Sequence, residues 1–357
     1  MEEALETMMN KVQISSSPAT YCVTGGKGYL GSWLVETLLE RGYIVHATVR
    51  DPEKSLHFLP LWKGNDRLRI FKADLNEEGS FDEAVKGCDG VFHVAASKEY
   101  KVDETENIEA YVQANIIDPA IKGTINVLKS CLNSNSVKRV VYTSSMSTMS
   151  AKDSNGKWKP VVDESCQIQT EHMVKTQPIG WVYALSKHLT EEAAFKFAKE
   201  NGIDLVSVIT TAVAGQFFTA NNVPPSVKVL LSPLTGEPEF FKLLSSVNAR
   251  MGSISAVHIE DICSAHIFLM EHSKAEGRYI CSSQCFPISM LANLLAKEYS
   301  YSNKKKIAEK NCDKVPSDIS SKKLKDLGFC YKYGLEDIIH QTIICCQDYG
   351  YLPPIIQ

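Results

Sequence analysis

Residues 20–31 read Thr20-Tyr21-Cys22-Val23-Thr24-Gly25-Gly26-Lys27-Gly28-Tyr29-Leu30-Gly31, and this stretch decides the fold class. Thr20–Thr24 is a short β-branched run of the kind that forms a buried strand. Tyr29–Arg41 carries a helical pattern, and Gly42 stands where a C-terminal cap belongs. Between them, Gly26, Gly28 and Gly31 satisfy G-x-G-x-x-G, while Gly25, Gly28 and Gly31 satisfy G-x-x-G-x-x-G. A strand, a glycine turn and a helix in that order suit a dinucleotide pyrophosphate. The turn must be tight, the backbone must approach closely, and the helix N-terminus offers N–H donors and a positive dipole. Gly25, Lys27, Gly28, Tyr29, Leu30 and Gly31 are the candidate phosphate-side residues, against the plainer reading of a structural glycine turn.

Further strand patterns follow at Ile44–Val49, Leu68–Lys72, Gly90–Ala95, Lys138–Thr143 and Asp204–Ile209, with helical patterns between them, as at Gly123–Leu132 and Trp181–Asn201. Such alternation implies parallel strands joined by right-handed crossovers, with helices on both faces. The predicted fold class is α/β: a doubly wound Rossmann parallel sheet with a smaller mixed C-terminal substrate lobe. Residues 1–18 are expected to be a flexible arm, 19–210 the cofactor-binding body, and 211–357 mainly the lobe, some segments of which can return to the body. Pro224-Pro225 and Pro233 make 211–257 read as loop-rich with short helices. Strand Ser255–His258, helix Ile259–His272, strand Arg278–Cys281, helix Ile288–Tyr299 and a final amphipathic segment Leu335–Cys346 follow. Lys304-Lys305-Lys306 reads as solvated surface.

The 357 residues are 44% hydrophobic and 22% charged, enough for a large core. Lys and Arg number 38 against 42 Asp and Glu, a net charge of -4, which argues against a nucleic-acid partner. The 11 cysteines are odd in number and irregularly spaced, with no CxxC and no zinc-type Cys/His cluster, so free thiols in a reducing compartment and no metal are expected. No apolar run is long enough to span a membrane. The first residues carry acids and lack the marks of a secretory or transit peptide. The expectation is a cytoplasmic protein, with a monomer favoured.

The end of the second strand selects the cofactor. An acid there would bind a ribose 2′-hydroxyl; this chain has Arg50, followed by Asp51. A guanidinium suits a 2′-phosphate, and Lys54 adds charge, so NADPH is expected. The competing reading has Arg50-Asp51-Pro52 as a solvated turn, with Asp51 serving NAD. Asp74 and Leu75 lie where an adenine edge and ring would sit, although Asp74 also reads as a helix cap before Glu77. Val94, Ala95, Ala96 and Ser97 end the fourth strand with small residues that allow a cofactor to approach.

Tyr183 and Lys187 are four residues apart on the predicted helix and share a face. A nearby ammonium favours the phenolate and lowers a Tyr pKa that is otherwise near 10. Ser144 and Ser145 follow the fifth strand, at the edge where doubly wound sheets bind ligands, and a hydroxyl there can hold a substrate carbonyl. Tyr-x-x-x-Lys alone is common and mostly structural. Its combination with the glycine loop and Ser144-Ser145 is far more specific.

The stretches CVTGGKGYLGSWLVETLLERGY (22–43), ATVRDP (47–52), KADL (72–75), GCDGVFHVA (87–95), VKRVVYTSS (137–145), WVYALSK (181–187), VHIEDICSAHIFLME (257–271) and EGRYICSS (276–283) carry a family resemblance. The chain resembles the extended short-chain dehydrogenase/reductases over about residues 19–352. More narrowly, it resembles the plant group of dihydroflavonol, anthocyanidin, vestitone and cinnamoyl-CoA reductases. The resemblance implies Ser145, Tyr183 and Lys187 as the catalytic set and Arg50 as the NADP-selecting residue. Met251-Gly252-Ser253-Ile254-Ser255 and Val213-Ala214-Gly215 are similar to anthocyanidin reductases. The Asn-Trp-Tyr-Cys-Tyr signature of cinnamoyl-CoA reductases is absent, and Ser150 stands where dihydroflavonol reductases usually have Asn. Thr210 and Gln216 replace usual prolines, and Ala96-Ser97-Lys98 replaces a common Thr/Ser-Pro.

The expected function is NADPH-dependent reduction of a small phenolic substrate. Anthocyanidin to flavan-3-ol, which in the family uses two NADPH, stands first. A carbonyl reductase of a dihydroflavonol, alkaloid or terpenoid stands second, and a non-catalytic NADPH-binding regulator third. His258 and His266 read as core or capping residues, and Asp261 as a partner of a helix N-terminus.

Overall fold

The computed structural model describes residues 18–52, 64–97, 102, 107–153, 155–218, 223–298 and 317–353. Lys54, Lys98, the lysine run 304–306 and, but for Pro18, the expected N-terminal arm lie outside the described residues.

Strands are numbered in chain order. The main sheet contains β1 (Thr20–Thr24), β2 (Ile44–Val49), β3 (Leu68–Lys72), β4 (Gly90–His93), β5 (Arg139–Ser145), β7 (Leu205–Thr210) and β10 (Gly277–Cys281). Their spatial order is β10-β7-β5-β4-β1-β2-β3, and every neighbouring pair is parallel. The direction of winding reverses between β1 and β4. In open α/β sheets, ligands bind in the crevice at the carboxyl ends on either side of that reversal.

The longer helices are α1 (Tyr29–Glu40), α2 (Asp118–Ser134), α3 (Trp181–Asn201), α4 (Pro225–Thr235), α5 (Pro238–Met251), α6 (Ile259–Glu271), α7 (Ile288–Glu298) and α8 (Leu335–Asp348). Strand alternation divides the core. Val141 joins Val23, Leu34 and Ile262 on the face covered by α1 and α6. Its neighbour Val140 joins Val91, Val127, Leu128 and Ala194 on the face covered by α2 and α3. Both faces are buried, which explains the near-continuous apolar strands. Arg139, at the start of β5, ties the layers: its guanidinium donates to Asp204 and to the carbonyls of Leu269, His272 and Ala275.

The smaller sheet has the order β11 (Gln284–Phe286), β9 (Ile254–His258), β8 (Ala212–Ala214), with β8–β9 parallel and β9–β11 antiparallel. A two-stranded ladder joins β6 (Val161–Val162) to β12 (Asp318–Ile319). The apolar centre of the lobe combines Leu230, Leu244, Phe286, Leu291 and Ile338.

The stretch 211–257 is more regular than the prolines suggested. It holds two short strands and the helices α4 and α5. Pro225 and Pro238 occupy first-turn positions, where the missing N–H costs nothing, and Pro233 lies in the last turn of α4. Proline here starts helices rather than breaking them.

Candidate active site

Gly25 has φ +71, and a methyl group built on it would meet Ala95 Cα at 3.0 Å. A methyl on Gly31 would lie 2.3 Å from the Gly25 carbonyl oxygen. The Gly28 N–H donates to that carbonyl at 2.8 Å, closing the turn. Gly28 is the N-cap of α1 and offers no capping side chain, and the first turn of α1 carries no acid. The N-terminal N–H groups therefore face an anion site with no built-in competitor. Lys27 is exposed beside the turn. Leu30 is half-buried and packs against the core beneath α1.

Tyr29 turns away from this site. Its ring meets Phe217 edge-on at 6.4 Å, and its hydroxyl is buried with no hydrogen-bond partner among the described residues. Only its backbone remains on the phosphate side. Arg50 is exposed immediately after β2, to which the loop is docked by the Gly26 N–H donating to the Thr48 carbonyl at 2.9 Å.

Thr24 locks the loop to the end of β4. Its hydroxyl accepts from Val94 N–H at 3.1 Å and Ala95 N–H at 3.0 Å, and pairs with His93 Nδ1 at 2.9 Å. The other ring nitrogen of His93 pairs with Thr124 Oγ1 on α2 at 3.1 Å. Burial, aided by the charge of Lys187, pushes His93 down to about 3, so it stays neutral and serves as a structural tie.

Leu75, Ala95, Ser97, Thr124, Tyr142 and Lys187 line one cleft at the carboxyl edge, and Ala96 is exposed at its border. Asp74 caps no helix: its carboxylate accepts the Asn76 N–H at 2.9 Å in an Asx turn, and the next helix starts only at Asp82. Leu75 is wedged against Gly123, where an added methyl would lie 2.8 Å from Leu75 Cβ.

Ser145 ends β5, and its Oγ accepts the Ser147 N–H at 3.2 Å, capping the following turn. The Tyr183 hydroxyl hydrogen-bonds to Ser145. Lys187, one turn along α3, donates to the Thr143 carbonyl at 2.7 Å and approaches Tyr142 Oη at 3.4 Å. Burial lowers its pKa to about 8, and Glu191 opposes that shift. The spacing of Tyr183 and Lys187 predicts that the ammonium lowers the Tyr183 pKa. Instead, burial raises the Tyr183 pKa, and the bond to Ser145 pulls it back. The lysine charge is spent on the β5 carbonyl edge.

The profile of the NAD dependent epimerase/dehydratase family matches residues 21–281. The chain belongs to that family. A putative anthocyanidin reductase of Ginkgo biloba is 48% identical over 331 residues, covering 91% of this chain and 93% of that relative. Dihydroflavonol 4-reductase of Arabidopsis thaliana is 41% identical over 342 residues, covering 95% and 85%. Among family structures, vestitone reductase from alfalfa superposes with a TM-score of 0.77 at 35% identity, over 93% of this chain and 99% of that one. The group to which the motifs pointed is the group to which the relatives belong.

Several residues around the family's site carried no legible signal. Thr24, His93, Thr124, Tyr142 and Thr143 read as strand or helix positions, and only the fold brings them to one edge. His258 and His266 are structural, as read: His258 accepts the Glu260 N–H at the start of α6, and His266 bridges the Ile262 carbonyl and Thr143. Asp261 accepts the N–H groups of Lys332 and Tyr333, fixing the chain ahead of α8. Among the described residues no group of His, Cys, Asp and Glu is placed to hold a metal, and no helix is long and apolar enough to cross a membrane.

Proposed function

We propose that this chain is an NADPH-dependent reductase of a phenolic substrate, with an anthocyanidin reduced to a flavan-3-ol as the leading reaction. The observation that carries the reading is the Ser145–Tyr183 hydroxyl pair one helical turn from the buried Lys187, beside the cleft that Leu75, Ala95 and Ser97 share. The 48% identity to a putative anthocyanidin reductase supports the substrate class. The glycine cradle suits a dinucleotide, since added methyls at Gly25 and Gly31 would collide with backbone.

The backbone of Gly25–Gly31 would hold the pyrophosphate, Arg50 the 2′-phosphate, and Leu75 with Val94–Ser97 the adenine and ribose side. Asp74 would hold the adenine amine with the oxygen that the Asx turn leaves over. When bound, the cofactor supplies the hydride. Ser145 orients the substrate oxygen by its hydroxyl. Tyr183, hydrogen-bonded to Ser145, is the proton donor to a carbonyl oxygen. Lys187 holds a positive charge close to the phenolate left behind. For an anthocyanidin the electrophile is a ring carbon, so the direct proton transfer from Tyr183 to a carbonyl oxygen need not apply unchanged.

The alternative is a carbonyl reductase of a dihydroflavonol, favoured by 41% identity to such an enzyme. The test is NADPH consumption with a panel of anthocyanidins, dihydroflavonols and simple ketones, comparing wild type with Tyr183→Phe. Turnover of anthocyanidins, with chiral flavan-3-ol products and a Tyr183→Phe loss, supports the leading reading. Turnover of dihydroflavonols alone transfers it to the alternative. NADPH binding without any turnover overturns both.

A further inference from the structure

β10 is the edge strand that the chain lays down after β8 and β9, and its register carries one side chain back to the site. Arg278 pairs with Ser207 of β7, and Ser207 pairs with Tyr142 of β5, so the three stand in one row across the sheet. Tyr142 belongs to the face covered by α2 and α3, and the parallel register puts Ser207 and Arg278 on that same face. Two residues one turn apart on α3 meet this row. Lys187 approaches Tyr142, and Glu191 takes Ser207 and Arg278 on its two carboxylate oxygens.

The Arg278 fork does more than neutralise Glu191. Its Nη1 donates to the Glu164 carbonyl at 2.7 Å, and its Nη2 donates to Thr148 Oγ1 at 3.1 Å. Thr148 closes the short turn Met146–Thr148 that follows Ser145. Having accepted from a guanidinium, the Thr148 hydroxyl has one proton left to give, and it gives it to the Ser145 carbonyl at 2.9 Å. The same turn also ties the Ser145 side chain, whose Oγ accepts the Ser147 N–H at 3.2 Å. Ser145 is therefore held at its carbonyl and at its hydroxyl, and Arg278 fixes the direction of the first bond. Thr148 is buried and the Arg278 side chain largely so, which leaves little water to replace a lost partner.

We infer that Arg278 is a positioning residue for the reaction: through Thr148 it sets the angle at which Ser145 presents its hydroxyl to Tyr183 and to a substrate oxygen. This deepens the reductase reading and rests on it for the word reaction. A catalytic group displaced by about 1 Å can lose about a hundredfold in rate, so a relay that fixes one hydroxyl has kinetic weight. The strand that completes the site thus follows the lobe strands β8 and β9 in the chain.

The test measures the single-turnover rate of NADPH oxidation with whichever anthocyanidin, dihydroflavonol or ketone of the panel the wild type reduces fastest. Thr148→Val keeps the shape of the side chain and removes only the hydroxyl. It is expected to slow the step about tenfold or more and to leave KM for NADPH nearly unchanged. Thr148→Ser, which keeps the hydroxyl, should retain most of the wild-type rate. Arg278→Lys keeps a charge beside Glu191 but loses the planar fork, so it should slow the step to a similar degree. Combined with Thr148→Val, it should be no slower than the slower single variant, because both break one relay. A merely structural role would lower Tm without this pattern. Amide hydrogen exchange at Ser147 gives a readout free of turnover. Thr148→Val should speed it about fivefold or more and leave the interior amides of β5 unchanged. A wild-type rate in Thr148→Val or in Arg278→Lys, a Thr148→Ser as slow as Thr148→Val, losses that multiply in the double variant, or unchanged Ser147 exchange would each overturn the inference. If the wild type turns over no panel member, the reductase reading falls, and Ser147 exchange alone decides whether the relay holds Ser145.

Discussion

Lys187 Nζ donates to the carbonyl oxygen of Thr143 at 2.7 Å, so the buried ammonium is clamped to the strand that delivers Ser145. The clamp costs stability, because burial lowers the lysine pKa to about 8. Below that pH the side chain is charged both folded and unfolded, and the cost is full. Between about 8 and the ordinary value near 10.4, the folded chain gives up the proton first, so stability rises with pH. Lys187→Met should therefore gain more Tm over wild type at pH 7 than at pH 9.5. Calorimetry without cofactor reads this directly, and a gap that ignores pH would contradict it.

Glu191 lies one turn beyond Lys187 and pairs with Arg278 of β10 at 2.9 Å, with side chains 3% and 11% exposed. Its other carboxylate oxygen accepts from Ser207. Breaking one side leaves a buried charge, at a cost of about 3–5 kcal/mol. Glu191→Gln and Arg278→Met are each expected to fall in that range in urea denaturation. The double variant should cost less than their sum, and additivity would refute the coupling.

Glycine positions in the phosphate loop should rank by the room around them. Gly31→Ala forces a methyl to 2.3 Å from a backbone oxygen, while Gly28→Ala meets the same oxygen at 3.2 Å. NADPH affinity, titrated by fluorescence, should fall at least about tenfold more for Gly31→Ala than for Gly28→Ala. Equal losses would mean that the crowding does not govern the loop.

On the proposed reading, Arg50 would carry the distinction between the two nicotinamide cofactors. Arg50→Ala should raise KM for NADPH by about tenfold or more and leave KM for NADH nearly unchanged, since a charge-assisted guanidinium–phosphate pair is worth more than about 1.4 kcal/mol. Steady-state kinetics with each cofactor decide it, and equal changes would return the role to Asp51.

Two buried histidines should make the fold acid-labile. His93 is pushed down to about 3 and His266 to about 4, against an unfolded value near 6.5. The native state binds fewer protons in that interval, so stability present above pH 6.5 is lost as pH falls through it. Tm should drop between pH 6.5 and 4.5, and His266→Gln, which has no proton to gain, should show a shallower drop.

The body was legible because it is built from local signals. Gly25–Gly31, the apolar runs of β1, β2 and β5 and the spacing of Tyr183 to Lys187 each declare themselves within a few residues. The lobe was less so, because Pro225 and Pro238 carry one meaning in a loop and another in a first turn, and only packing tells them apart. The motif places Tyr29 beside the cofactor, yet its ring faces Phe217, about 190 residues away in sequence.

The return of the chain to β10 has a mechanical consequence. The polypeptide leaves the large sheet at Thr210, lays down β8 and β9, re-enters at Gly277 and departs again for β11. The lobe is threaded through the edge of the body rather than hung from it by a single hinge. A cut anywhere between 211 and 276 would strip an edge strand from the larger sheet, so no fragment carrying the lobe alone leaves an intact partner. Melting should accordingly be one cooperative event that takes both sheets together.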